Sequence, residues 1–108
     1  MSSTLYTFKA EFFKALAHPL RIKILETLRD SEKNVTELQN ILATDQSGVS
    51  QQLAVLRSKN LIITRKNGTN VYYSVRDPLI FELLDVARQI FNNHLIGTRD
   101  LLSQLENE

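Results

Sequence analysis

The sequence predicts a mainly α fold with one small β-hairpin, in the order helix, helix, helix, helix, hairpin, helix. Apolar residues recur at helical spacing over most of the chain. After Asn60 the period changes, and β-branched and aromatic residues flank the hairpin signal NGTN. At 108 residues, the chain is expected to be one domain, residues 1–108.

The first two helices are predicted on either side of His18. Apolar spacing indicates a helix from Leu5 to Ala17. Pro19 suits the first turn of a second helix, which we expect to end near Asp30. Because His18 immediately precedes that start, we interpret it as a structural residue of the helix terminus rather than a ligand.

The third and fourth helices are short and are joined by the turn-rich segment TDQSG. Thr36 is the expected cap of the third helix. Its inward-facing residues are expected to be Leu38, Ile41 and Leu42. The fourth helix is predicted to begin around Gln46 or Ser47, which produces a helix-turn-helix arrangement.

The fourth helix combines an apolar face with a polar face that carries no acid. At about 100° per residue, Val49, Leu53 and Leu56 fall in one narrow sector, which predicts the buried face. The opposite side carries the hydroxyl and amide groups of Ser47, Ser50 and Gln51, with Gln52 at its margin. Such groups can hydrogen-bond base edges and phosphates, so this face favours a nucleic-acid partner over a plain solvated helix.

Positive charge is concentrated in residues 46–76. This segment holds five Lys or Arg and no acid, a net charge of +5 against +1 for the whole chain. The imbalance indicates an anionic partner. Arg65 and Lys66 immediately precede the hairpin tip, where cations can reach phosphates. They could equally protect an edge strand from pairing, and both roles remain open.

The last helix, from Leu79 onward, carries an apolar stripe that is too extensive for a terminal helix of so small a domain. Two-fold self-association would bury the same stripe on both subunits, whereas a single fold-back helix is the alternative. His94 lies on the stripe and is interpreted as an interface residue. Gly97 is expected to bend or interrupt the helix.

Several classes of protein are disfavoured by what the sequence lacks. It has no cysteine, no Gly-rich phosphate loop and no His-Glu-x-x-His motif, so we expect no enzyme. No secretory signal and no run of roughly 18 apolar residues is found, which predicts a cytoplasmic protein without a membrane partner.

Four segments together resemble the ArsR/SmtB family of small bacterial winged-helix repressors. They are FKALAHPLRIKILETL, VTELQNIL, SGVSQQLAVLRSKNLI and TRKNGTNVYYSVRDP, and the match runs from about Phe8 to Leu84. The most specific motifs are Ala-His-Pro-x-Arg, Val-Ser-x-x-Leu-x-x-Leu-Arg and Gly-x-x-x-Tyr-Tyr. The resemblance implies a winged helix-turn-helix fold and a homodimer that binds a double-stranded DNA operator and is released by an inducer.

The resemblance also implies roles for individual residues. The groove-reading positions are Ser47, Ser50, Gln51 and Gln52, and the wing positions are Arg65, Lys66, Asn67 and Thr69. The dimer interface, through the first and last helices, is assigned to Leu5, Phe8, Phe12, Leu84, Ala87, Ile90, Phe91, His94 and Leu95.

The chain departs from the family at the metal-sensing positions. Many relatives use a Cys-x-Cys-type pair in the third helix, where this chain has Gln39 and Ile41. Others use Asp and several His of the last helix, where this chain has His94 alone among histidines. A lone histidine cannot complete a four-coordinate site, so we expect no metal and no cofactor. The inducer is unknown: a small organic molecule, a partner protein or simple abundance all remain open.

The functional prediction is therefore a sequence-specific DNA-binding regulator, a dimeric repressor without the usual metal sites. The alternative is a winged-helix protein-interaction module whose DNA binding is vestigial. Salt-sensitive retention on heparin or random duplex DNA would separate the two.

Overall fold

The computed structural model describes residues 2–107 of the chain. The helices are α1 (Ser2–Leu16), α2 (Pro19–Thr27), α3 (Val35–Leu42), α4 (Gln46–Ser58) and α5 (Leu79–Glu106), and the strands are β1 (Ile62–Asn67) and β2 (Asn70–Val75). This order confirms the predicted one. The residues form two compact units, one ending at Asp77 and one beginning at Pro78. The expectation of a single domain stays a prediction.

The core of the first unit is aliphatic. Helices α2, α3 and α4 pack on one another, and β1 packs on α4. The side chains almost fully removed from solvent are Ile24, Leu25, Leu38, Val49, Leu53, Leu56 and Ile62. In α4, the spacing of four and then three residues between Val49, Leu53 and Leu56 directs these side chains to one side of the helix.

Helix α2 begins as predicted. His18 is its N-cap, and its Nδ1 accepts a hydrogen bond of 3.1 Å from the backbone N–H of Leu20. Pro19 occupies the first turn, where no intrahelical donor is lost. These contacts confirm the structural role of His18.

Two expectations about α3 were wrong. Asn34, and not Thr36, is the N-cap, because it forms a capping box with Glu37. Asn34 Oδ1 accepts from the Glu37 N–H at 2.8 Å, and Glu37 Oε1 accepts from the Asn34 N–H at 3.0 Å. Ile41 is 56% exposed although it was expected inside. It lies in the last turn, about 60° around the helix from the buried Leu38, at the margin of the apolar face.

The hairpin is anchored on both edges of β2. Strand β1 pairs antiparallel with β2, with Asn67 opposite Asn70, and Gly68 takes the positive φ of 65° that suits a two-residue loop. On the other edge, the Tyr73 N–H donates to the Lys33 carbonyl at 2.8 Å, and the Lys33 N–H donates to the Tyr73 carbonyl at 3.1 Å. Helix α2 ends at Thr27, earlier than the expected Asp30.

The second unit is dominated by α5. This helix runs through Gly97 without the interruption that was one of the two expectations there, and a bend at Gly97 stays a prediction. One glycine costs about 1 kcal/mol relative to alanine, which a helix of 28 residues tolerates. Among the described residues, no helix combines the length and apolar character needed to cross a membrane.

Candidate nucleic-acid interface

Helix α4 is held by its cap and its buried face. Asp45 is the N-cap, and its Oδ1 accepts a 3.0 Å hydrogen bond from the Gly48 N–H. A Cβ at Gly48 would lie 2.7 Å from that oxygen, so a glycine suits the close approach. Val49, Leu53 and Leu56 are buried, which confirms the predicted inner face.

The opposite face of α4 is exposed and polar. Ser47, Ser50 and Gln51 are exposed as their spacing predicted, and Gln52 is half-buried at the margin. The Ser47 hydroxyl donates to Asp45 Oδ2 at 3.3 Å, so this side chain also supports the cap. The face therefore presents hydroxyls and amides on an α-helix. The major groove of DNA is wide enough to admit such a helix.

Gln52 is bound within the protein, an arrangement that the sequence did not indicate. Arg21 Nε donates to Gln52 Oε1 at 2.9 Å. Arg21 Nη1 also donates to the backbone carbonyl of Ala15 at 3.1 Å. The Ala-His-Pro-x-Arg motif contains this arginine, but only the fold brings it to α4.

A groove of about 540 Å³ lies between α4 and the second strand of the hairpin. Its lining residues are Ser50, Leu53, Ala54, Arg57, Ser58, Asn60 and Tyr73. Tyr72 and Tyr73 are both half-buried, and Tyr73 borders the groove beside the exposed Arg57.

The hairpin, or wing, exposes only part of its predicted cationic surface. Lys66, Asn67 and Thr69 are exposed. Arg65, in contrast, forms a bidentate ion pair with Glu32: its Nε donates to the two carboxylate oxygens at 3.2 and 3.1 Å, and its Nη2 also donates to Oε1. The guanidinium lies 5.1 Å from the centroid of the Tyr72 ring.

This ion pair changes the electrostatics of the predicted cationic segment. The pKa of the Glu32 carboxyl is lowered because it accepts hydrogen bonds from Arg65, and the pKa of Arg65 is raised by the same contact. Residues 46–76 contain no acidic residue. In the folded protein, however, Glu32 from outside this segment neutralises the charge of Arg65 within it.

The predicted interface residues are distributed over both units. On α1, Leu5 and Phe8 are exposed and Phe12 is half-buried. On α5, the exposed residues are Ile90, Phe91, His94 and Leu95, whereas Leu84 and Ala87 are half-buried. Apolar residues exposed in a single chain are compatible with self-association, and the interface itself remains a prediction.

Within the part of the chain that the structure describes, no three His, Cys, Asp or Glu side chains come together in a group that could hold a metal ion.

Comparisons with known proteins agree with this geometry. The family model for bacterial regulatory proteins of the arsR family matches residues 18–64. The HTH-type transcriptional regulator Rv0081 of Mycobacterium tuberculosis is 47% identical over 90 residues, covering 82% of this chain and 79% of that protein. Its crystal structure has a TM-score of 0.79 over 86% of this chain and 94% of that chain, with 45% identity.

Two further relatives are more distant. The transcriptional repressor PagR of Bacillus anthracis is 38% identical over 82 residues, covering 75% of this chain and 82% of that protein. The solution structure of a homodimeric winged helix-turn-helix DNA-binding domain, Mb0332 of Mycobacterium bovis, has a TM-score of 0.77 and 26% identity. It covers 87% of each chain and carries the description of a possible ArsR-family transcriptional regulator.

Fold, motifs and relatives thus lead to one assignment. The helix order with its hairpin is that of the winged helix-turn-helix relatives, and the relatives are transcriptional regulators rather than enzymes. The chain belongs to the ArsR family of bacterial regulatory proteins and is a winged helix-turn-helix, DNA-binding transcriptional regulator.

Proposed function

We propose that the chain acts in the cytoplasm as a homodimeric repressor that reads a double-stranded DNA operator through α4. The observation that carries this proposal is the exposed polar face of α4, which lies opposite Val49, Leu53 and Leu56 and is flanked by the wing. An acid-free helix face of hydroxyls and amides is suited to a groove lined by phosphates.

The base-reading residues of the proposal are Ser47, Ser50 and Gln51, with Gln52 at their margin. The exposed Gln51 amide can pair bidentately with adenine, and the hydroxyls can bond either bases or phosphates. In this proposal the amides account for most of the base preference, and the serines mainly position the helix on the DNA.

The phosphate-binding residues of the proposal lie on both sides of the groove between α4 and the wing. Lys66, Asn67 and Thr69 are exposed at the wing, and Arg57 borders the groove. Arg65 contributes less to DNA binding than its position suggests, because its guanidinium already binds Glu32.

Dimerisation is proposed through the apolar residues of α1 and α5 that are assigned above. A two-fold dimer would place two copies of α4 about 34 Å apart, which matches half-sites one turn apart on DNA. The homodimeric Mb0332 domain supports the dimer, and the name of PagR supports repression. The regulator is proposed to lack the family's usual metal sites, because Gln39 and Ile41 replace the cysteine pair.

Gln51→Ala tests the proposed reading of DNA. An operator is first obtained by selecting bound sequences from random duplexes with the purified protein. Gel-shift titration should then show that Gln51→Ala weakens operator binding by about fivefold or more and leaves binding to random DNA unchanged, because a bidentate pair discriminates between bases.

The matched control is Gln89→Ala, which removes an exposed helical glutamine from the face of α5 opposite the apolar stripe. It should bind the operator like the unaltered protein. Unchanged operator affinity of Gln51→Ala would refute the assignment. If the unaltered protein shows no salt-sensitive retention on duplex DNA, the protein-interaction alternative is correct instead.

A further inference from the structure

Arg21 connects the end of α1 to the recognition helix α4. Its Nη1 donates to the carbonyls of Ala15 at 3.1 Å and Lys14 at 3.4 Å. Both carbonyls belong to the last turn of α1, and that of Lys14 also accepts a hydrogen bond of 3.1 Å from the Ala17 N–H. Its Nε donates to Gln52 Oε1 at 2.9 Å. One half-buried guanidinium thus holds a DNA-facing amide against a fixed part of the fold.

The chemistry of the guanidinium determines which way the Gln52 amide points. Arginine can only donate hydrogen bonds, so the atom that it holds must be the carbonyl oxygen. The Nε2 group, with its two N–H donors, is left for an external partner. The bond occupies one of the two lone pairs of Oε1, and the adjacent cation weakens the other as an acceptor, so the amide offers its donors more readily than its acceptor.

We propose that Arg21 is a positioning residue that determines the base preference of Gln52. This inference rests on the proposed reading of DNA by α4. An amide with both groups available pairs bidentately with adenine, through N6 and N7. The held Gln52 offers mainly donors, so it favours guanine, with O6 and N7, or thymine, with O4, over adenine, and it disfavours cytosine, which presents a donor.

Two variants separate this role from simple support of the fold. Gln52→Met removes the amide at similar size and leaves the bonds between Arg21 and α1 untouched. Arg21→Lys keeps the charge, but a lysine lacks the planar fork that bonds α1 and Gln52 at the same time. The measurement is selection of bound sequences from random duplexes, followed by competition titration with operators changed at one base pair per half-site.

The expected result is a change of preference at one position. Gln52→Met should identify that position by losing the guanine or thymine preference there. Arg21→Lys should accept adenine at the same position, and its preference for guanine or thymine over adenine should fall by about fivefold or more. Affinity for random duplex DNA should stay unchanged. The double variant should have the profile of Gln52→Met alone, because Arg21 acts through Gln52.

The control is Arg29→Lys, which makes the same change just beyond α2 at an arginine paired with Glu26. It should keep the original profile. The inference is overturned if Arg21→Lys retains the original preference, or if the effects of the Arg21 and Gln52 variants are additive.

If Arg21→Lys lowers the melting temperature, its change of preference could reflect a weaker fold, and a third variant separates the two effects. Gln52→Glu keeps an acceptor for Arg21 but has no donor. It should therefore lose the guanine or thymine preference while the melting temperature is retained. A retained preference would again overturn the inference. Failure of the proposed function is distinguishable, because the unaltered protein would then select no consensus sequence at all.

Discussion

The ion pair between Glu32 and Arg65 decides how much charge the wing offers to DNA. Because the bond to Arg65 lowers the pKa of Glu32, the pair stabilises the fold at pH values above the ordinary carboxyl pKa. That contribution is lost only as the pH falls through the lowered value. Throughout the neutral range both groups are charged, so the Glu32 carboxylate offsets the attraction of Arg65 for a phosphate.

Glu32→Gln is therefore expected to strengthen DNA binding. Removing the carboxylate frees Arg65 for phosphate, so affinity for random duplex DNA should rise and the salt slope should steepen by about one. The gain should be the same across neutral pH. Glu26→Gln, which removes the acid paired with Arg29, is the control and should have no such effect. An unchanged or shallower slope for Glu32→Gln would contradict this account.

At the residue scale, the sequence predicted exposure well and side-chain partners poorly. The spacing of Val49, Leu53 and Leu56 was sufficient to place the neighbouring serines and Gln51 outside. The partners of Arg65 and Gln52 lie 33 and 31 residues away in sequence. The spacing of apolar residues within one helix or strand carries no information about contacts between residues so far apart in the sequence.

At the element scale, the wing combines a fixed base with a protruding tip. Lys33 is 8% exposed, and its ammonium donates to Asp30 Oδ1 at 3.0 Å and to Ser31 Oγ at 2.7 Å. The bond to Lys33 lowers the pKa of Asp30. Since the backbone of Lys33 also pairs with Tyr73, the base of the hairpin is tied to the segment before α3.

Lys66→Ala tests what the tip contributes. Its exposed ammonium is expected to neutralise one phosphate, so the substitution should weaken operator and random DNA alike and reduce the salt slope by about one. The control is Lys23→Ala, which removes an exposed lysine of α2. If the slope of Lys66→Ala equals that of the unaltered protein, the wing does not contact phosphates through this residue.

The types of the elements were predictable and their ends were less so. Apolar periodicity and the NGTN turn signal gave the correct order, because both depend on near neighbours. The cap of α3 was missed because Asn34 and Glu37 compete successfully with Thr36 for the helix start. The end of α2 was also misplaced, near Asp30 rather than at Thr27.

At the scale of the whole molecule, the exposed apolar residues of α1 and α5 are the principal sign of assembly. Phe8 is 75% exposed and Phe91 is 65% exposed in the single chain. Exposure of large aromatic side chains to water costs free energy. A two-fold interface would bury the copy of each residue on both subunits. The assembly would also bring two recognition helices to one DNA site.

Phe91→Asp is expected to convert the proposed dimer to a monomer. Light scattering should report the lower mass, and operator affinity should fall by on the order of a hundredfold because the half-sites no longer bind together. Ile96→Asp is the matched control, since Ile96 is 54% exposed on the opposite face of α5. Ile96→Asp should stay dimeric. A dimeric Phe91→Asp protein would refute the assigned interface.

The sequence by itself determined the order of the elements, the buried face of α4 and the position of the hairpin tip. Each follows from periodicity or turn chemistry within a few residues. Only the tertiary structure decided that Glu32 neutralises Arg65 and that Arg21 holds the carbonyl of Gln52. Hydrogen bonds between distant residues depend on how helices pack, and packing fixes distances that no local pattern contains. The acid-free face of α4 was therefore predictable, whereas the donors and cations that it can offer to DNA were not.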